Sequence, residues 1–320
     1  MSSDLQKQSK RCKRDKRNYD WWITLSTPQT FKSLLNIING IVSPAPFQVC
    51  VNEEWDMTSP PEDIRFTGIR IDAVNASKAC MVKAAYECKV ETPGQLENPR
   101  FCLEIDTLIT LLRDVQGSHV VELIKYSDLG AITIRTYNHD DRSNWSVSTV
   151  QMIEDMDSQP RDLRKLTFDY VIEMQLDRIK EVCRMVHAIK ACKMTFTVKE
   201  PKIQAGIEKE HLFSISAENE GVSICKLHRS TSVCESGPDV IRIVRNDAES
   251  DFSEEEEGDN YEVKFSESFA CMYLHGVFKN MDGKSIQMHF QNHLPLVIHY
   301  SLGNDLSYLR VVLAPLQQCD

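Results

Sequence analysis

Apolar and polar residues follow two spacings along this chain, one typical of helices and one typical of strands. Four stretches carry apolar residues at helical spacing: residues 28–41, 105–115, 176–190 and 266–281. Each is followed by short segments in which apolar and polar residues alternate, as they do in half-buried strands. Thr27 and Pro28 provide a cap and a first position for the first helix. The pattern predicts an α+β fold in which a helix-and-strands unit occurs four times.

The alternating segments predict fourteen strands, and the last two form a hairpin around Gly303 with Pro315 after it. The predicted strands are residues 47–51, 64–71, 79–90, 119–125, 131–137, 145–152, 166–174, 193–198, 211–217, 221–227, 261–265, 285–290, 296–302 and 308–313.

Composition divides the chain into segments. Residues 1–19 form a basic tail with few apolar residues, which predicts disorder. Residues 153–165 are polar, contain Pro160 and lie between strand patterns, which predicts a linker. We therefore expect two homologous domains, residues 20–152 and 166–320, each made of two similar halves.

Composition also narrows the class of protein. Residues of hydrophobic type make up 42% of the chain and charged residues 26%, as in ordinary globular proteins. No apolar run approaches the length of a membrane span, and the polar N-terminus does not resemble a signal peptide, so we expect an intracellular protein without a membrane partner. A net charge of −10 argues against a protein that coats nucleic acid with its whole surface, but not against one basic surface.

Motifs for metals, cofactors and catalysis are missing from the sequence. The 11 cysteines include no Cys-x-x-Cys pair, which favours reduced thiols over a disulfide framework or a zinc site. The segment from Asp282 to Ser285 resembles the end of a phosphate-binding loop, but Phe278 stands where that loop needs glycine. We expect neither a cofactor, nor a metal, nor enzymatic activity; an enzyme with an unrecognised site remains an alternative.

The C-terminal hairpin has a distinctive set of residues: Pro295, Leu296, Val297, Tyr300, Leu309, Leu313, Ala314 and Pro315. This set resembles the end of the second domain in the proliferating cell nuclear antigen (PCNA) family, the DNA sliding clamps. Residues 68–82, 103–112 and 173–184 resemble further segments of that family in the same order. The resemblance implies a DNA-clamp fold of two homologous domains, each of two βαβββ units, expected to form a closed ring. Two long insertions and the basic tail indicate a divergent member.

In that family the helices line the ring and face DNA. In the third predicted helix, Ile179, Val182 and Val186 share one side, whereas Lys180, Arg184 and His187 lie opposite. An ordinary solvated helix face is the alternative interpretation, and the other helices carry few cations. The resemblance implies these DNA-facing residues: Lys32, Arg113, Lys180, Arg184, His187, Lys190 and Lys279.

The family also binds client proteins, which insert a short hydrophobic peptide between the linker and the C-terminal hairpin. Methionine side chains adapt to different partners and suit such a surface. The alternative is that these residues hold the linker against the domain. The resemblance implies these partner-binding residues: Lys78, Met81, Met152, Ile153, Met156, Val312, Leu313, Ala314 and Pro315.

The expected function is that of a DNA sliding clamp, a homotrimeric polymerase processivity factor for replication and repair. Its expected partners are duplex DNA without sequence preference, further copies of itself, polymerases and other clients, and a clamp loader. The alternative is a clamp-fold protein that binds DNA as a monomer or as one subunit of a heterotrimeric checkpoint-type clamp. The basic tail favours a nuclear location, with a cytoplasmic site of viral replication as the alternative.

Overall fold

The computed structural model describes residues 18–54, 65–94, 98–141, 145–153, 168–201, 211–229, 242–245, 261–303 and 306–316. Residues 1–17 of the predicted tail, most of the predicted linker with Met156, and the acidic stretch of residues 247–260 lie outside the described residues. Tyr19, predicted as the end of the disordered tail, instead begins the first strand.

The first half of the chain contains two strand–helix–strand series. The first consists of β1 (Tyr19–Leu25), α1 (Pro28–Asn39), β2 (Ala45–Glu54), β3 (Arg65–Val74), β4 (Cys80–Glu87) and the short β5 (Lys89–Glu91). The second consists of β6 (Arg100–Leu103), α2 (Ile105–Leu111), β7 (His119–Tyr126), β8 (Ala131–Asn138) and β9 (Trp145–Gln151).

The second half repeats the same order. Its first series is β10 (Tyr170–Gln175), α3 (Leu176–Ala188), β11 (Lys193–Pro201), β12 (Leu212–Asn219), β13 (Val222–Arg229) and the short β14 (Arg242–Arg245). Its second series is β15 (Tyr261–Ala270), α4 (Cys271–Asn280), β16 (Ser285–Phe290), β17 (Leu296–Ser301) and β18 (Tyr308–Leu313). A βαβββ series therefore occurs four times among the described residues, which confirms the predicted α+β class and its repeat.

The chain divides into two compact units. The first comprises Met1–Leu35, Ser43–Arg70 and Tyr86–Asp157, and the second Asn36–Val42, Ile71–Ala85 and Ser158–Asp320. In the first unit one sheet has the order β5-β1-β7-β8-β9, and β2 pairs with β6. In the second unit one sheet has the order β13-β12-β11-β15, and another runs β14-β10-β16-β17-β18-β4.

Each unit buries the apolar side of its helices against its strands. In the first unit, Phe31, Leu34 and Leu35 of α1 are fully buried. In the second, Ile179 and Val186 of α3 are buried in the same way, as the helical spacing predicts. The opposite sides of these helices are thereby left for solvent or for a ligand.

Several element boundaries differ from the sequence prediction. The fourth helix begins at Cys271 rather than at residue 266, because residues up to Ala270 continue β15 and pair with β11. Thr195 and Ser268 add a side-chain hydrogen bond of 2.7 Å across this pair. The strands β1, β6 and β14 were missed, since two are only four residues long and β1 is irregular at Tyr19.

Candidate nucleic-acid interface and docking surface

In the second unit, helices α3 and α4 pack together and bring several cationic residues to one surface. The Lys180 Nζ atom donates a hydrogen bond of 2.5 Å to the backbone oxygen of Met281, just after α4. Arg184 is exposed one turn further along α3, and Lys279 is exposed near the end of α4. The predicted residues Lys180, Arg184 and Lys279 therefore lie on one helix pair.

His187 and His275 connect these helices through a ring stack. Their centroids lie 4.3 Å apart with an interplanar angle of 6°. Burial lowers the pKa of His275, and the neighbouring His187 and Lys279 lower it further. His275 was absent from the predicted set, although it stands one helical turn before Lys279. We call Lys180, Arg184, His187, His275 and Lys279 the helix-pair surface.

Acidic residues and the position of Lys190 moderate this surface. Asp177 and Glu181 are exposed on α3, and the Glu181 carboxylate lies 3.5 Å from the Lys226 ammonium. Lys190 follows the end of α3 in a left-handed conformation, with φ 55°. It is exposed, but it lies outside the helix on which the sequence placed it.

The first unit contains a contact equivalent to that of Lys180. The Lys32 Nζ atom donates a hydrogen bond of 2.5 Å to the backbone oxygen of Arg113, which follows α2. Lys32 and Lys180 are each the fifth residue of the first helix in their unit. Each ammonium lies where a helix leaves carbonyl groups without helical partners, so part of its role is to stabilise a helix end.

Part of the predicted docking surface is present in the second unit. Met81, Val297 and Val312 form a cluster across β4, β17 and β18, and each side chain is only 7% exposed. Val74 and Phe168 pack against this cluster. We call these five residues the apolar cluster. Phe168 is half-buried, so an aromatic ring of the chain itself already covers this surface.

The remaining predicted docking residues take different positions. Next to the apolar cluster, the Ala314 N–H donates to the Ala79 oxygen at 2.9 Å, beside the exposed Lys78 and the half-buried Pro315. Leu313 lies on the opposite face of β18 from Val312 and is 1% exposed, so it belongs to the core.

The predicted residues Met152 and Ile153 belong to the first unit, where both are half-buried. The Ile153 N–H donates to the Cys102 oxygen at 3.0 Å. This contact ties the start of the predicted linker to β6.

A partly buried group of three side chains, Arg310, His289 and His299, borders the apolar cluster. The Arg310 Nε atom donates to His299 Nδ1 at 3.4 Å, and the ring of Phe168 lies 5.5 Å from the ring of His289. Burial, followed by the charge of Arg310, lowers the pKa of both histidines to about 4. Both imidazoles are therefore neutral near pH 7.

Two strands lie at the edges of their sheets and carry exposed apolar side chains. Strand β9 ends the sheet of the first unit, and Trp145 and Val147 on it are 51% and 46% exposed. Strand β13 ends a sheet of the second unit, where Val222 and Leu227 are 51% and 53% exposed. Edge strands offer backbone donors and acceptors to another strand.

Other kinds of site were sought in the described part of the chain. Within it, no group of three or more His, Cys, Asp or Glu side chains is arranged to hold a metal ion. No helix among those described has the length and hydropathy needed to span a membrane.

Comparison with solved structures identifies the fold. The PCNA of Entamoeba histolytica superposes on this chain with a TM-score of 0.67, over 93% of this chain and 100% of that chain, at 12% sequence identity. The chain has a PCNA-like fold. No protein-family model and no curated protein sequence matches it. The fold implied by the C-terminal hairpin is thus confirmed by the structure, whereas ring closure and the DNA-facing residues stay predictions.

Proposed function

We propose that this chain is the subunit of a DNA sliding clamp, which closes into a homotrimeric ring around duplex DNA. The observation that carries the proposal is the extent of the PCNA-like fold, which includes the whole length of the E. histolytica chain. The ring would hold polymerases and repair enzymes at their substrate and would perform no chemistry of its own. Tethering raises the effective concentration of an enzyme without any new contact at its active site.

The helix-pair surface supports the DNA-binding part of this proposal. Its cations lie on helices rather than on long loops, and phosphate contacts of this kind do not distinguish one base sequence from another. Because these cations are few and Asp177 and Glu181 lie on the same helix, we expect weak, salt-sensitive contact with DNA. In a ring, topology rather than charge provides the retention.

The two edge strands support self-association. In the proposed trimer, β9 of one subunit pairs with β13 of the next, which removes both exposed edges. Strand β9 contains seven residues and no charged side chain, so no electrostatic repulsion opposes the pairing. The exposed apolar side chains of both strands would be buried in the same interface.

The apolar cluster supports client binding. Because Phe168 packs against Met81 and Val312, a hydrophobic side chain of a client peptide would contact these two residues only if the Phe168 ring moved aside. The free energy needed to displace the Phe168 ring therefore reduces the affinity for a client peptide. A clamp loader remains a proposed partner on the basis of the fold alone.

Retention on DNA after a high-salt wash tests the ring. The protein is threaded onto a linear plasmid over its free ends, and half of the sample is then closed into circles by ligation. Both halves are washed at 1 M salt, where the screening length is roughly 3 Å. We expect retention on the circle and loss from the linear form, because a closed ring leaves only over an end. Equal loss from both would refute the ring.

Light scattering of the same protein preparation, without DNA, measures the number of chains in the assembly. We expect a mass of three chains of 36.7 kDa each. Val147→Lys is expected to yield a folded monomer that is lost from the circle, whereas Lys89→Gln, at an exposed position of β5, is expected to behave like the parent. A parent that is monomeric but binds DNA would favour the alternative, a charge-held or heterotrimeric clamp subunit.

The location of the protein is part of the same proposal. The tail carries Lys7, Lys10, Arg11, Lys13, Arg14, Lys16 and Arg17. A cluster of this kind suits a nuclear import signal or an electrostatic tether to DNA. We expect deletion of residues 1–17 to reduce nuclear accumulation of a fluorescent fusion. Unchanged accumulation would refute an import signal in the tail, and cytoplasmic foci of the full-length fusion would favour a viral replication site.

A further inference from the structure

Two cysteines stand opposite each other where the four-stranded sheet of the second unit meets its helices. Cys192 precedes β11, and Cys271 is the first residue of α4, directly after β15. The register pairs Lys193 with Ala270, so the next pair outward is Cys192 with Cys271. The Cys271 N–H donates to the Cys192 oxygen at 3.0 Å, which extends the ladder to this pair.

From this register we expect the two thiols to lie within reach of each other. Residues opposite each other in an antiparallel ladder have Cα atoms about 4.5 to 5.5 Å apart, inside the range of disulfides. Opposed residues also project to the same face of a sheet. Met194 and Phe269 lie opposite each other two residues further along the same ladder, so they share this face, and both are buried.

The two thiols differ in their access to solvent. Cys192 is exposed, and Cys271 is buried with a free thiol. Burial, with a smaller contribution from Cys192, raises the pKa of Cys271 to about 11. A small oxidant in solution would therefore meet Cys192 first, and Cys271 would act as the second, resolving thiol.

We propose that Cys192 and Cys271 are an oxidation site, at which hydrogen peroxide converts the two thiols to an intramolecular disulfide. In the first step the Cys192 thiolate attacks one peroxide oxygen, the O–O bond breaks, and the released hydroxide takes up a proton to give water. Cys192 is then a sulfenic acid.

In the second step Cys271 loses its proton, and its sulfur attacks the Cys192 sulfur. The S–S bond forms while the S–O bond breaks, and the leaving hydroxide is protonated to a second water. The two thiols together lose two electrons, and one peroxide molecule is reduced to two waters. The product ties the residue before β11 to the first turn of α4.

The chain contains a matched control for each thiol. Cys225 is also an exposed cysteine on a strand of this sheet, but its cross-strand partner is Ser216. Cys183 is a buried cysteine whose pKa is raised by burial and, to a smaller extent, by the nearby Cys271. Peroxide should therefore give no intramolecular disulfide through Cys225, and Cys183 is the competing partner that the experiment has to distinguish.

Trypsin separates these possibilities. The full-length protein is treated with one equivalent of hydrogen peroxide, blocked with N-ethylmaleimide and digested without reductant. Cleavage after lysine and arginine releases Cys192 within residues 191–193, Cys271 within 265–279 and Cys183 within 181–184. We expect a cross-linked product of 191–193 with 265–279, two mass units below the sum of the thiol peptides, which dithiothreitol separates.

Variants and stability complete the test. Cys192→Ser should abolish the cross-link, whereas Cys225→Ser should leave it unchanged. The oxidised parent should melt at a higher temperature than its reduced form, because the bond closes a long loop of the unfolded chain. Recovery of residues 265–279 joined to 181–184, or of Cys192 only as over-oxidised acid, would overturn the proposal.

Discussion

The buried histidines beside the apolar cluster predict that the second unit loses stability in mild acid. His289 and His299 are held neutral in the folded chain, with pKa values of about 4 against an ordinary 6.5. The unfolded chain takes up protons at both sites as the pH falls below 6.5, and the folded chain does not. The free energy of unfolding is therefore highest above pH 6.5 and falls between pH 6.5 and 4.

The size of the effect follows from the two pKa values. At 1.4 kcal/mol for each tenfold change, one histidine accounts for about 3 kcal/mol once the pH reaches 4, and for about 2 kcal/mol at pH 5. His299→Asn removes one titrating group and retains an oxygen that can accept from the Arg310 Nε atom. We therefore expect this variant to lose about 2 kcal/mol less than the parent between pH 7.5 and 5.

Urea denaturation, followed by circular dichroism at pH 7.5, 6.5, 5.5 and 5, measures these differences directly. The control is His293→Asn, because the His293 side chain is 93% exposed and its φ of 62° suits asparagine. The control should follow the pH dependence of the parent. An unchanged pH dependence in His299→Asn would refute the assignment of the acid sensitivity to this buried imidazole.

Three further predictions concern packing, DNA binding and docking. Gly68→Ala should reduce the free energy of unfolding by more than about 3 kcal/mol, because the added Cβ would lie 2.2 Å from the backbone oxygen of Tyr86 in β4. The control Gly117→Ala, where the added Cβ meets open space, should change this free energy little. Equal midpoints of the two variants in urea denaturation would contradict the prediction. Arg184→Ala should weaken DNA binding and reduce the magnitude of the slope of log affinity against log salt concentration by about 1, as measured by fluorescence anisotropy. The control, Lys89→Ala, should keep the slope of the parent. An unchanged slope in Arg184→Ala would exclude a phosphate contact by Arg184. Phe168→Ala should tighten the binding of a hydrophobic client peptide in calorimetry, and weaker binding would mean that the Phe168 ring is part of the peptide site.

Much of the local structure could be predicted from the sequence. The apolar spacing of Ile179, Val182 and Val186 identified the buried side of α3, because a helix of 3.6 residues per turn brings these positions together in any fold. The same spacing placed Lys180 and Arg184 on the other side of this helix. The C-terminal hairpin was also found, since its turn and its alternation lie within a short segment.

The boundaries of the helices and strands do not follow from the spacing of residues alone, because they depend on pairing partners. Residues before Cys271 have a pattern compatible with a helix, and only the pairing of β15 with β11 makes them a strand. Strand β6 has four residues, too few for a period to be recognised, and its pairing with β2 defines it.

The contacts that give the candidate sites their properties were decided by the tertiary structure. The stack of His187 on His275, the cover that Phe168 provides over Met81, and the opposition of Cys192 and Cys271 each join residues far apart in the chain. Such contacts depend on the register of strands and on how two helices pack, and neither is encoded in the spacing of residues within one segment. The sequence by itself determined which side of each helix is polar; the packing of the helices and strands decided which polar and apolar side chains meet.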